Sequence, residues 1–107
     1  MKRKSAALGM LGSPDPRVTR VRSNASALTV DFEDGRTVRL PLLWYPRLFH
    51  ATQAQRDRWE LIGPGMGVHW PDVDEDLSAE GLLAGRPSIE FLKQLRGPRV
   101  AGKAVTA

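Results

Sequence analysis

A chain of 107 residues with 41% hydrophobic content is long enough for one modest core and too short for two. It contains no cysteine, which excludes a disulfide framework, a thiolate zinc site and a cysteine nucleophile, and no apolar run approaches the roughly 20 residues that cross a bilayer. The net charge of +4 resides in the ends, where Lys2, Arg3, Lys4, Arg96, Arg99 and Lys103 flank a body whose ten basic residues face twelve acidic ones.

The N-terminus opens like a secretory signal, but Gly9, Gly12, Pro14 and Pro16 interrupt its apolar part. Residues 1–16 are therefore read as a flexible basic arm of a cytoplasmic protein. Such an arm holds a polyanion weakly and with steep salt dependence, and it does not read a sequence.

Residues 17–24 are rich in β-formers and end in a Ser23-Asn24 turn signal, which predicts a first strand. Leu28, Val30 and Phe32 alternate with Thr29, Asp31 and Glu33; beyond Asp34-Gly35, Val38 and Leu40 alternate with Thr37 and Arg39. This is the pattern of a hairpin with one buried face. Residues directly opposite in an antiparallel pair share a face, so the faces decide the loop length. A two-residue loop would set Phe32 against Thr37 and Val30 against Arg39, apolar against polar. A three-residue Glu33-Asp34-Gly35 loop pairs Val30 with Val38 and Leu28 with Leu40, and it places Gly35 at the left-handed position of a type I turn with a glycine bulge. On the outer face, Asp31 then lies opposite Thr37 and Thr29 opposite Arg39.

Residues 42–50 are dense in large apolar groups and are read as core between sheet and helix rather than as a platform for stacking bases. Thr52-Gln53-Ala54-Gln55 is a capping box, and a helix is predicted from there to the Gly63-Pro64-Gly65 stop. It would carry Arg56 and Glu60 one turn apart and Trp59 and Ile62 on one face. The glycines of residues 63–67 follow a helix and precede a strand, the reverse of a phosphate-binding loop, so they are read as a helix C-cap and a return to the sheet.

Val68 and Trp70 point to one face of a later strand and His69 to the other, and Pro71 ends it. Asp72, Asp74, Glu75 and Asp76 then supply four carboxylates within five residues. With His69 they would suit Mg²⁺ or Ca²⁺ and metal-assisted phosphodiester hydrolysis, although the spacing is not that of an EF-hand. A structural account covers more of these residues. Asp76 or Ser78 caps a short helix over residues 79–84, acidic groups favour its positive end, Val73 and Leu77 turn inward, and Gly85 closes it. Ser78 and Ser88 both read as caps and His50 lies far along the chain from His69, so no nucleophile with its base is identified; neither an enzyme nor a cofactor is expected. From Ser88 to Arg96 runs a short amphipathic helix that stops at Gly97-Pro98, and residues 97–107 are read as a flexible tail.

Tyr45-Pro46-Arg47-Leu48, Ala51-Thr52, Gln55-Arg56, Trp59-Glu60 and the block His-Trp-Pro-x-x-Asp-Glu-Asp-Leu-Ser from His69 to Ser78, followed by Gly81-Leu82-Leu83-Ala84-Gly85-Arg86-Pro87-Ser88, resemble a family of small bacterial proteins. It is the domain of unknown function numbered twenty-four forty-two. The resemblance covers about residues 17–90. It implies a compact α+β domain with strands first, then a helix, a further strand and a short helix. It also implies membership of small bacterial gene pairs suggestive of toxin and antitoxin. Some relatives carry a helix-turn-helix domain after this one; the stretch beyond Arg96 is too short for it, so sequence-specific DNA binding is not expected. The family carries no established catalytic residues.

The fold class expected is α+β: a small antiparallel sheet, made of the N-terminal strands with their hairpin and one later strand, packed against short helices over a single domain of residues 17–96. The expected function is that of a non-catalytic protein-binding module, the antitoxin-like member of such a pair, acting sterically on another protein. His69, Asp72, Asp74 and Glu75 form the expected contact patch, because a negative patch steers a basic partner. The amphipathic last helix is compatible with a homodimer face. The alternatives are a nucleic-acid-binding regulator using the basic ends with Arg17, Arg20 and Arg22, and a metal-dependent hydrolase using His69, Asp72, Asp74 and Asp76.

Overall fold

The computed structural model describes residues 15–95; the expected tail, and the expected arm apart from Asp15 and Pro16, lie outside the described residues. Strands β1 (Val18–Ser23), β2 (Ala27–Phe32) and β3 (Thr37–Pro41) form an antiparallel sheet in that order. Val30 lies opposite Val38 and Leu28 opposite Leu40, the register that the face argument requires, and Thr29–Arg39 and Asp31–Thr37 fall on the outer face. Gly35, at φ 96°, closes the turn by donating its N–H to the Phe32 carbonyl at 3.0 Å. The β1–β2 turn is held by the Asn24 side chain, which accepts from the backbone N–H groups of Ser26 and Ala27.

A 3₁₀ turn over Leu42–Trp44 leads into helix α1 (Pro46–Phe49) and then α2 (Gln53–Asp57). Of the apolar run, Leu42, Tyr45 and Leu48 are buried at three-residue spacing, whereas Leu43 and Phe49 are exposed. The stretch is thus a one-sided lining of the core. Both halves of the capping box are present at the start of α2, with Thr52 Oγ1 accepting from the Gln55 N–H at 3.1 Å and Gln55 Oε1 from the Thr52 N–H at 2.9 Å.

The helix expected to run on to Gly63 ends at Asp57, and residues Glu60–Ile62 form strand β4 instead. Two contacts explain the early stop. The Arg56 carbonyl, which a longer helix would give to the Glu60 amide, accepts the buried Trp70 indole N–H at 3.1 Å. Glu60 in turn pairs across a strand with His69, so it makes no one-turn pair with Arg56. Arg56 itself is buried. Gly63-Pro64-Gly65 therefore caps no helix; it turns a hairpin, with the Gly65 and Met66 N–H groups both donating to the Ile62 carbonyl.

Strand β5 (Gly67–Trp70) is the later strand expected, with Val68 and Trp70 buried and His69 facing outward. It is the centre of a second antiparallel sheet, flanked by β4 and by β6 (Glu75–Ser78), in place of a single strand added to the first sheet. The α+β class stands, with two three-stranded sheets. β6 opens on Glu75-Asp76, a pair of poor strand propensity that pairing with β5 overrides.

Helix α3 (Ala79–Ala84) starts at Ser78, whose Oγ accepts from the Gly81 N–H at 2.9 Å, and ends at Gly85 with φ 72°. Helix α4 (Ile89–Leu95) starts at Ser88, whose Oγ accepts from the Phe91 N–H. One core joins both sheets: Val21, Leu28, Val30 and Phe32 meet Leu48, Val68, Trp70 and Leu82, while Val73 and Leu77 pack against it partly buried. The sheets also touch directly, because the Gly65 carbonyl accepts the Val18 N–H at 2.8 Å. Among the described residues no helix is long and apolar enough to cross a membrane.

Candidate functional site

β6 and α4 leave between them a groove of about 780 Å³. Leu77 and Leu82 line it from β6 and α3 and Ile89 and Leu92 from α4, with Tyr45 and Glu75 buried among them and Arg47, Asp74, Arg86 and Glu90 also along its lining. Glu75 owes its position to register. Opposite Trp70 on the neighbouring strand, it shares the inward face and is only 9% exposed. Burial, reinforced by the Glu90 charge, holds its carboxyl above the usual carboxylate range, with Arg47 pulling the other way. Tyr45 is buried beside it and donates its hydroxyl to the Arg86 carbonyl at 3.1 Å. Burial and the Glu75 charge push this phenol up to about 12.

Arg47 spans one side of the groove. Its Nε donates to Glu90 Oε1 of α4 at 3.1 Å and its Nη1 to the Asp74 carbonyl at 2.8 Å. The Glu90 carboxylate is the main reason that the guanidinium holds its proton more tightly than usual. This arginine ties α1, α4 and the β5–β6 turn together. Neither Tyr45, Arg47 nor Glu90 stands out by composition or periodicity, since 43 residues separate the two ends of the ion pair.

The expected patch is divided by the fold. Asp74, at φ 52° on the turn, has a 92% exposed side chain and borders the groove together with Glu75. Asp72 is instead held by Arg58 at 2.6 Å. His69 lies on the outer face of the second sheet, between Glu60 and Asp76 in register, with its Nδ1 hydrogen-bonded to the Asp76 carboxylate. Among the described residues no group of three His, Cys, Asp or Glu side chains comes together to hold a metal, so His69, Asp72, Asp74 and Asp76 do not assemble the metal-dependent hydrolase site. Of the arginines that a nucleic-acid reading invokes, Arg22 is bound by Asp31 at 2.8 Å.

The Asp76 contact raises the His69 pKa above its ordinary 6.5. A histidine whose folded pKa is raised contributes stability that is fully present below about pH 6.5 and lost as pH rises through the folded value. An NMR titration of the His69 ring is expected to show the raised midpoint in the wild type and a return toward the ordinary value in Asp76→Asn; an unchanged midpoint in the variant would remove Asp76 as the cause.

Comparison with known proteins agrees with this architecture. Residues 18–88 match the family described as Protein of unknown function (DUF2442). The crystal structure of a protein of unknown function from Rhodospirillum rubrum is similar at 33% identity and a TM-score of 0.62, over 72% of this chain and 95% of that one. The solution structure of an uncharacterized protein from Chromobacterium violaceum shares the fold at 23% identity and a TM-score of 0.60, over 75% of each chain. No match was found among curated proteins. With both sheets and α3 inside the matched residues, the chain belongs to the DUF2442 family.

Proposed function

We propose that the chain is a non-catalytic protein-binding module acting in the cytoplasm, the antitoxin-like half of a small bacterial gene pair, which works by covering a surface of its partner. The open groove between β6 and α4 carries this reading. Ile89 on its wall is 69% exposed and Leu92 37%, and the polar groups beside them, Tyr45 and Glu75 within and Arg47, Asp74 and Glu90 also along its lining, orient whatever enters. Of the acidic residues expected to touch a partner, Asp74 and Glu75 border this groove, and the role is assigned to them.

The test is co-expression of the tagged chain with its neighbouring genes, followed by gentle purification. A neighbouring gene product is expected at near-equal stoichiometry. Ile89→Asp should abolish that association while shifting unfolding by no more than about 0.5 kcal/mol, because the side chain is exposed. A chain that purifies alone, or a partner retained by the folded Ile89→Asp variant, would remove the groove as the binding surface.

A further inference from the structure

We infer that the groove between β6 and α4 receives a lysine side chain of the partner protein, its ammonium held by the Glu75 carboxylate and its methylene stem lying along Leu77, Ile89 and Leu92. This rests on the protein-binding reading above and names what the groove selects.

Glu75 is nine-tenths buried, yet among the described residues no side-chain donor is bonded to it. The nearby guanidinium that would otherwise neutralise it, that of Arg47, is held by Glu90 through Nε and by the Asp74 carbonyl through Nη1. A buried carboxylate is stable when it is paired, and a cation brought from outside supplies the missing half of the pair. A second acceptor stands beside it. The Tyr45 hydroxyl gives its proton to the Arg86 carbonyl, which leaves the phenolic oxygen free to accept. An ammonium has three donors and no acceptor, so it matches a carboxylate and a phenolic oxygen together, whereas an anion would meet acceptors and negative charge.

The charges around the groove point the same way. Asp74, Glu75 and Glu90 border it against Arg47 and Arg86; Glu90 is paired with Arg47, and the Asp76 carboxylate turns to His69 on the outer face, which leaves Glu75, among the described residues, as the inward acid with no ion pair. Lysine rather than arginine is favoured because a compact ammonium with three freely directed donors can serve the Glu75 carboxylate and the Tyr45 oxygen together, whereas a guanidinium's planar fork is matched to one carboxylate met edge-on. The apolar walls suit the stem, since a lysine buries its methylenes readily when its head is satisfied.

The experiment titrates the ¹⁵N-labelled chain with three six-carbon probes at neutral pH: n-hexylammonium, n-hexanol and hexanoate. Hexylammonium is expected to move the amides of Glu75, Leu82 and Ile89 and to bind about tenfold more tightly than hexanol, with hexanoate weakest. Glu75→Gln should bring hexylammonium down to the hexanol level. Its melting temperature should be unchanged or higher, because it removes a charge that burial disfavours. No saturable shift with hexylammonium, equal binding to wild type and Glu75→Gln, or hexanoate binding as tightly would each overturn the lysine assignment. If hexanol equals hexylammonium while a stoichiometric partner still co-purifies, the assignment fails and the protein-binding reading survives. If Glu75 selects the cation but no partner appears on co-expression, the ammonium site stands and the protein-binding reading falls.

Discussion

Among the described residues Gly65→Ala is expected to be the most damaging Gly→Ala change, lowering the free energy of unfolding by about 3 kcal/mol or more. A β-carbon at this position would lie 2.4 Å from the Val18 carbonyl oxygen and 3.0 Å from the Val18 nitrogen, both backbone atoms that no side-chain rotation relieves. The residue also sits at φ 102°, where an L side chain is strained even in open space. Relief requires the β4–β5 turn to move away from β1, which breaks the hydrogen bond from the Val18 N–H to the Gly65 carbonyl. Gly35→Ala separates the two causes, because Gly35 has a similar φ of 96° and a β-carbon there would meet nothing within 4 Å. It should cost only about 1 kcal/mol. Urea unfolding of the two variants measures the difference, and equal losses would show that the close approach of the sheets contributes nothing.

Arg56→Met is expected to destabilise by about 2–4 kcal/mol, far more than a surface arginine would. Its guanidinium donates to the Ala51 carbonyl at 2.6 Å, the Leu48 carbonyl at 3.2 Å, Gln53 Oε1 at 2.9 Å and Ser23 Oγ at 3.1 Å. The first two acceptors lie at or just past the C-terminal end of α1, where a positive charge is favoured, and the Leu48 carbonyl also accepts from the Ala51 N–H. The same side chain reaches across to the end of β1. Methionine keeps much of the volume and none of the donors. Lysine keeps the charge but cannot serve four acceptors in fixed directions, so Arg56→Lys should recover only part of the loss. Thermal and urea unfolding of both variants, compared at one pH, checks this; an Arg56→Met protein within about 0.5 kcal/mol of wild type would end Arg56's role as the connector.

What could be read from the sequence was whatever depends on neighbours along the chain. The first hairpin follows from the alternation of Leu28, Val30 and Phe32 and from one glycine, so its register was decidable residue by residue. The Thr52 capping box and the Ser78 cap are equally local. Arg56 looked like a surface partner of Glu60 because nothing nearby in sequence shows that Trp70 will claim its carbonyl. Glu75 looked like one carboxylate among four. Only its place opposite Trp70, which requires recognising β6 as a strand, turns it inward while Asp74 stays in solvent. The groove was hidden for the same reason, since β6 lines one side and Arg47 must find Glu90 across 43 residues to hold the other.

The shared core has a consequence for how the protein is made. A chain leaving the ribosome finishes β1, β2 and β3 by residue 41, long before Val68 and Trp70, which cover the inner face of that sheet, have been synthesised. Until then Val21, Leu28 and Val30 lie uncovered, and the Val18 amide on the edge strand has no Gly65 carbonyl to meet. A three-stranded meander with a bare apolar face and an open edge invites association with other chains. The order of synthesis thus makes residues 18–41 an aggregation-sensitive part of the nascent chain, and the arrival of the β4–β5 hairpin the event that ends that exposure.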